Sequence, residues 1–143
     1  MLYEEIADPE AVTPERLRVQ YERELADVVD AVGVEAAASE ADVDRSRLDS
    51  LLAGESVSFT VAEAARLLAL APDYPDGDVI MHELRDHVML QMSSAVLDVD
   101  ALESGLNGDL NAREIQQKIE GRREMTLAEY ARIHHYIASN VDW

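Results

Sequence analysis

An internal duplication constrains the fold of this chain more than any other feature of its sequence. A shift of 67 residues places Asp42 on Asp109. After one residue is lost from a later loop, a shift of 66 places residues 60–66 on residues 126–132, and five of these seven pairs are identical. Self-similarity of this kind is typical of repeated supersecondary units. Each copy should therefore adopt the same local fold.

The duplication extends upstream into a segment with helical periodicity. In both copies, apolar residues recur at a spacing that places them on one face of a helix. The matched pairs are Leu17 with Leu84, Tyr21 with Val88, Leu25 with Met92, Val28 with Ala95, Val29 with Val96, and Val32 with Val99. Each copy is therefore predicted to begin with a long amphipathic helix.

Start and stop signals divide each copy into four helices. Thr60 with Glu63, and Thr126 with Glu129, have the spacing of a capping box. Further predicted N-caps are Thr13, Asp44, Asp78, Asp98 and Asn111, and the predicted stops are Gly33, Gly54, Gly105 and Gly121. The predicted helices span residues 14–32, 34–40, 45–53 and 61–70 in the first copy, and 79–96, 99–105, 112–120 and 127–139 in the second.

No segment has the period-two alternation of a strand. The sequence therefore predicts an all-α fold in which two tandem four-helix repeats pack as one compact bundle. The predicted divisions are an acidic leader (1–12), repeat one (13–70), a Pro- and Gly-containing linker (71–78), repeat two (79–139) and a tail (140–143). Tyr3 and Ile6 of the leader, and Trp143 of the tail, are candidates to pack on the body.

Composition excludes several classes of protein. The length of 143 residues suits one domain or two very small ones, and the hydrophobic fraction of 48% is enough for a core. It has no cysteine, so disulfides and thiolate metal sites are excluded. No apolar run is long enough to span a membrane, and the N-terminus is acidic rather than signal-like. We therefore expect a soluble cytoplasmic protein without a membrane partner.

The charge balance has two interpretations. Thirty acidic residues against twelve basic ones give a net charge of −18, and only one of the bases, Lys118, is a lysine. In dilute salt such a charge opposes binding to nucleic acid, because phosphates are repelled. At molar salt the Debye length is only about 3 Å, so net charge repels little at a distance. The chain resembles the small, acidic, lysine-poor proteins of haloarchaea, and we favour the halophilic interpretation.

A helix-turn-helix pattern runs through both repeats and is clearer in the first. It consists of small residues at Ala37 and Ala38, a turn at Asp42, and apolar residues at Val43, Leu48 and Leu51, followed by Gly54. This pattern resembles the phage-repressor (Xre/Cro) helix-turn-helix family. The family usually has glycine at the turn, where this chain has Asp42 and Asp109, which tolerate left-handed geometry. Repeat two departs further, with Ser104 and Gly105 for the two alanines and Lys118 for Leu51.

The resemblance implies that the outward residues of the second motif helix read DNA bases. Repeat one would present Asp44 and Asp49, which repel phosphate. Repeat two presents amide and guanidinium groups, which suit adenine and guanine. Its candidate DNA-binding residues are Asn111, Arg113, Gln116, Gln117, Lys118, Arg122 and Arg123. We therefore expect a DNA-binding, transcription-associated protein that reads duplex DNA through repeat two, with repeat one as a structural copy.

The principal alternative is a non-enzymatic protein-interaction module that keeps the helical scaffold. The helix at residues 79–96 is apolar on more than one face, so it is expected either at the centre of the monomer or in a homodimer interface. No catalytic or phosphate-loop signature is present, and we expect neither an enzyme nor a cofactor.

Two histidine-containing positions are left open. His82, Glu83, Asp86 and His87 have spacings that could hold zinc, although a surface ion-pair cluster is the simpler interpretation. His134 falls on an inward helical stripe, where we expect a half-buried, hydrogen-bonded side chain.

Overall fold

A computed structural model of the chain describes residues 2–3, 6 and 8–141. It confirms the all-α prediction: in this part of the chain a short 3-10 helix (Pro9–Ala11) precedes eight α-helices, and there is no strand. The helices are α1 (Pro14–Val32), α2 (Val34–Ala41), α3 (Arg45–Leu52), α4 (Val61–Leu68), α5 (Gly77–Ala95), α6 (Val99–Gly105), α7 (Ala112–Ile119) and α8 (Leu127–Asn140).

Both predicted capping boxes are formed. Thr60 Oγ1 accepts a hydrogen bond of 3.1 Å from the Glu63 backbone N–H, and the Glu63 carboxylate accepts one of 3.0 Å from the Thr60 N–H. Thr126 and Glu129 repeat both bonds at the same lengths. These bonds satisfy N–H groups that have no partner within the helix, and so they fix where α4 and α8 begin. Side chains also cap α1, α6 and α7 as predicted, through Thr13, Asp98 and Asn111.

One predicted N-cap is wrong, and another has the predicted position without the capping hydrogen bond. The helix α5 begins at Gly77, so Asp78 lies within its first turn and does not cap it. Asp44 stands at the N-cap position of α3, but its side chain makes no capping hydrogen bond.

The two long helices also end differently. Val29 is buried within α1, whereas its predicted counterpart Val96 lies beyond the end of α5, has a φ of 54° and is 89% exposed. Asp98 caps α6 only two residues later, so the chain must leave α5 before that point. The predicted match between Val29 and Val96 therefore fails in three dimensions.

The predicted left-handed aspartate in the turn between the motif helices is found in repeat one only. Asp42 takes the predicted left-handed conformation, with a φ of 55°. In repeat two, Asn107 and Gly108 take that conformation, with φ values of 59° and 74°, and Asp109 does not. Asp109 instead accepts a hydrogen bond of 2.9 Å from Arg132. The prediction that Asp109 supplies a left-handed turn is wrong, because the chain turns earlier.

Contacts among the two long helices and the two last helices build one core from both repeats. Within each repeat, the long first helix packs on the last helix, α1 on α4 and α5 on α8. Each long helix also packs on the last helix of the other repeat, α1 on α8 and α4 on α5. Exchanging the repeats leaves this set of contacts unchanged. The arrangement is therefore a pseudo-two-fold bundle in which the two repeats share one hydrophobic core.

A pair of backbone hydrogen bonds marks the pseudo-two-fold axis. The Val61 N–H donates to the Met125 carbonyl at 2.8 Å, and the Leu127 N–H donates to the Phe59 carbonyl at 2.9 Å. The two bonds are related by the same shift of 66 residues that relates the sequences. They form an isolated antiparallel bridge between Thr60 and Thr126. The two capping boxes therefore adjoin each other across this bridge.

The helix α5 is buried on one side only. Ile80, Leu84 and Val88 are buried between α4 and α8, but Met89 and Leu90 are 56% and 68% exposed. As expected for a central helix, α5 packs on both repeats, through α4 and α8, but its second apolar face, with Met89 and Leu90, is not buried in the monomer. The homodimer alternative stays a prediction.

None of the helices in the described part of the chain has the length and apolar character needed to cross a bilayer.

The leader contributes to the core through a residue that the sequence did not indicate. Leu2 is fully buried, and the Tyr130 hydroxyl donates a hydrogen bond of 3.0 Å to its carbonyl. Tyr3 and Ile6 pack against the core, as expected for these two candidates. The candidate contact of Trp143 lies outside the described residues.

Candidate functional site

The helix α7 presents most of the predicted DNA-binding residues. Its apolar face is buried through Ile115 and Ile119, and its main packing partner is α6. Asn111, Arg113 and Gln116 are exposed on the other side. The outward face of this helix is therefore polar and uncovered in the monomer.

A shallow surface beside the start of α7 brings several of these residues together. This surface, which we call the α7 concavity, has a volume of about 440 Å³ and is lined by Asn111, Arg113, Glu114, Gln117 and Arg123. In the described part of the chain, Arg113, Gln117 and Arg123 make no side-chain hydrogen bond or ion pair. Three polar side chains are thus available to a ligand on one exposed surface.

Asn111 and Gln116 are engaged within the protein. The Asn111 side chain caps α7, accepting from the Glu114 N–H at 2.8 Å and donating to the Glu114 carboxylate at 2.8 Å. Gln116 donates to Glu120 at 2.9 Å. It lies outside the α7 concavity and lines a separate groove of about 300 Å³ between α5, α6 and α7. We call this the apolar groove, because Met89, Met92, Val99 and Ile119 also line it.

Lys118 points inward, at the position that Leu51 occupies in repeat one. Its side chain is only 10% exposed, and its ammonium group pairs with Glu129 of the second capping box. Burial raises the pKa of Glu129, but the hydrogen bonds from Lys118 and Thr126 outweigh that effect and the net shift is downward. In repeat one, Arg47 makes the corresponding contact and holds the pKa of Glu63 at about 2. Each capping-box glutamate thus receives a cation from the helix before it.

Arg122 and Arg123 lie in the loop after α7 and line a second, larger space. This inter-repeat cavity has a volume of about 560 Å³ and lies between the start of α4, one side of α5 and the loop at 121–125. Its charged lining residues are Asp78, His82, Arg85, Lys118, Arg122, Arg123 and Glu124. Five of the seven are basic or imidazole groups, which is notable in a chain with a net charge of −18.

Arg85 is a residue of this cavity that sequence reasoning missed. Its Nε is buried without a hydrogen-bond partner, and within the described residues the side chain makes no ion pair. The guanidinium group lies directly against Gly121, where an added Cβ would fall 1.9 Å from Nη2. At the equivalent glycine of repeat one, Gly54, a Cβ would meet nothing within 4 Å. Gly121 therefore provides both a positive φ and room for the Arg85 side chain.

The four candidate metal ligands on α5 diverge. His82 lies 3.4 Å from Asp86 in an exposed pair. Glu83 accepts a hydrogen bond from the Tyr3 hydroxyl, and the His87 ring lies edge-on to a ring on α8. Within the described residues, no group of three His, Cys, Asp or Glu side chains is placed to hold a metal ion.

That ring on α8 belongs to His134, which is more buried than predicted. It is 1% exposed rather than half-buried, and its Nδ1 lies 2.8 Å from the Tyr21 hydroxyl. Its Nε2 is buried and has no hydrogen-bond partner in the described structure. Burial, with smaller contributions from His87 and His135, lowers the pKa of His134 to about 4. The side chain is thus a neutral, hydrogen-bonded member of the core.

Comparison with protein families gives one match. The profile of a family described as "Family of unknown function (DUF5791)" matches residues 17–140. The chain belongs to this family. The match spans both repeats, so the DUF5791 unit includes the whole pseudo-two-fold bundle. Comparisons with curated proteins and with solved structures found no significant match.

Replacing the two loop glycines should separate backbone strain from the Arg85 contact. We expect Gly54→Ala and Gly121→Ala each to lower the free energy of unfolding by about 1–2 kcal/mol, because alanine is strained at positive φ. A flexible side chain can move aside cheaply, so only Gly121→Ala should shift the NMR resonance of the Arg85 Nε–H. Urea denaturation and NMR of both variants test this. An unchanged Arg85 resonance in Gly121→Ala would contradict the contact.

His134 should make stability depend on pH. Its folded-state pKa of about 4 lies below the ordinary value of 6.5, so the unfolded chain binds the proton more readily. The contribution of neutral His134 to the free energy of unfolding is therefore fully present above pH about 6.5. It falls by up to about 3 kcal/mol as the pH drops to about 4. His134→Leu, which copies Leu68 of repeat one, should flatten this part of the curve. Equal slopes for both proteins in urea denaturation would refute the assignment.

Proposed function

We propose that this DUF5791 protein binds duplex DNA through α7. The observation that carries the proposal is the α7 concavity, which is lined by the exposed Arg113 and Arg123 and the half-buried Gln117, none of which has a side-chain partner among the described residues. Arginine suits the acceptors of guanine, and glutamine suits adenine. The limited cover over α7, which packs mainly on α6, favours entry into a major groove.

Charge supports the assignment to repeat two. Residues 111–123 hold four basic and two acidic side chains, a net of +2 in a chain of −18. The remaining acidity is compatible with DNA binding if the protein works at molar salt, where charges are screened beyond about 3 Å. The proposal therefore includes a halophilic cytoplasm as the setting.

The corresponding helix of repeat one, α3, is poorly suited to contact DNA bases. Arg45 on α3 is paired with Glu35 at 2.7 Å and lies 3.9 Å from Asp49. Asp44 adds another carboxylate at the start of the helix. Together these acids would repel phosphates, so in this proposal repeat one serves as scaffold and carries no DNA contact.

A second candidate is a non-enzymatic protein-interaction module. Met89 and Leu90 are exposed on α5 at 56% and 68%, and Met89 lines the apolar groove. Such a surface suits an apolar helix of another protein. The DNA hypothesis is preferred because Arg113, Gln117 and Arg123 converge on one polar surface and have no side-chain partner among the described residues.

The experiment is selection of binding sequences from random duplex DNA in molar KCl. We expect an enriched motif, and we expect Arg113→Ala combined with Gln117→Ala to weaken binding to it by about 10- to 100-fold. The double substitution removes two candidate base contacts, one from Arg113 and one from Gln117. Binding should also weaken as KCl rises, because phosphate contacts release counterions.

Gln116→Ala is the matched control for this experiment. Gln116 is exposed on the same helix but bonds to Glu120, outside the α7 concavity, so its loss should change binding by less than about threefold. No enriched motif at any salt concentration where the protein is folded would reject DNA binding. An unchanged motif in the double variant would reject these reading residues.

A further inference from the structure

The inter-repeat cavity contains a cation, Arg85, that no acidic side chain of the described residues neutralises. The chain has 30 acidic residues, yet Arg85 pairs with none of those in the described structure. Its Nε is also buried without a hydrogen bond. A buried donor on a charged group is costly unless something accepts from it. Arg85 also lines the cavity, where the other N–H groups of its guanidinium can donate to an anionic ligand.

The pseudo-symmetry of the fold provides an internal comparison. Repeat one has a corresponding cavity of about 120 Å³, lined by Arg18, Glu22, residues 56–59, Leu127 and Ala128. The shift that relates the repeats converts Arg18 into Arg85 and Leu127 into Val61. The same backbone elements therefore form both cavities, and their differences lie in side chains and size.

Three side-chain differences favour an anion in repeat two, one by removing a carboxylate and two by adding arginines. In repeat one, Arg18 pairs with Glu22 at 2.9 Å, one helical turn along α1. The counterpart of Glu22 is Met89, which cannot pair with Arg85. Counting back from the bridged threonines, Arg122 and Arg123 replace Ser56 and Val57. Repeat one thus has a small, internally paired cavity, and repeat two has a larger, cationic one.

The remaining charges of the cavity are largely paired. Lys118 is held by Glu129, and Arg122 lies 2.6 Å from Glu120. Asp78 and Glu124 also line the cavity and reduce its positive potential. Arg85 and Arg123 remain without partners in the described structure, so they define where an anion would bind.

We propose that the inter-repeat cavity binds a phosphate group through Arg85 and Arg123. Guanidinium groups match phosphate oxygens in a bidentate manner, and two of them line one space. The phosphate could belong to a small molecule or to a DNA backbone, since both present the same oxygens. Arg123 lines both this cavity and the α7 concavity, whereas Arg85 lies outside the α7 concavity, so substitutions at Arg85 test the phosphate site separately from sequence reading by α7.

The test is a titration of the full chain with inorganic pyrophosphate at constant KCl. Binding is measured from the changes in backbone amide chemical shifts by NMR. We expect the resonances of residues 121–125 to move, and those of residues 56–59 in the corresponding cavity to stay. Met89→Glu supplies the missing partner and should weaken binding about tenfold without removing any lining residue. Arg85→Gln should do the same. Arg18→Gln, its symmetric control, should change binding by less than about twofold.

A second arm uses duplex DNA with the same variants to distinguish the two sources of phosphate. Pyrophosphate binding that depends on Arg85, with unchanged duplex binding, assigns the cavity to a small molecule. Duplex binding that weakens in both Met89→Glu and Arg85→Gln assigns it to a backbone phosphate. If neither ligand's binding responds to these two variants, the phosphate site is refuted. Loss of sequence preference in the α7 variants is a separate readout, so the two proposals can fail independently.

Discussion

The structure depends on one reciprocal interaction, the backbone bridge between Thr60 and Thr126. Each of these threonines caps the last helix of its repeat, and each adjoins an N–H that donates to the other repeat, from Val61 to Met125 and from Leu127 to Phe59. The caps therefore fix two helix starts and also their relative position. Because α4 and α8 each pack on both long helices, the position of this bridge determines how the whole core assembles.

Because the two repeats share one backbone arrangement, equivalent side chains can be compared directly, and their differences indicate which groups the scaffold does not need. Both capping-box glutamates are neutralised by a cation from the preceding helix, although Arg47 and Lys118 reach them from different positions. This arrangement is structural in both repeats. By contrast, Arg18 is paired within its own helix, whereas its counterpart Arg85 is not. The second repeat therefore carries the groups that its scaffold does not use, and these groups are the basis for assigning ligand contacts to it.

Local signals in the sequence predicted the helices well, because caps and glycine stops act within a few residues. Thr60, Thr126 and Asp98 are examples in which one side chain bonds to one nearby N–H. Tertiary placement was less predictable. Val96 matches the buried Val29 in sequence but follows the end of α5, and the contact between Arg85 and Gly121 joins residues far apart in the chain. Comparing Glu22 with Met89 across the repeats was the one sequence signal that could have pointed to Arg85.

The most direct test of the shared core is native-state hydrogen exchange at the two bridging amides, Val61 and Leu127. Both residues are 1% exposed, and their N–H groups donate across the pseudo-two-fold axis. A single cooperative core predicts that both amides exchange only through global unfolding, with equal opening free energies that match the value from urea denaturation. Opening of one amide at a markedly lower free energy than the other would show that the repeats unfold separately and would contradict the account.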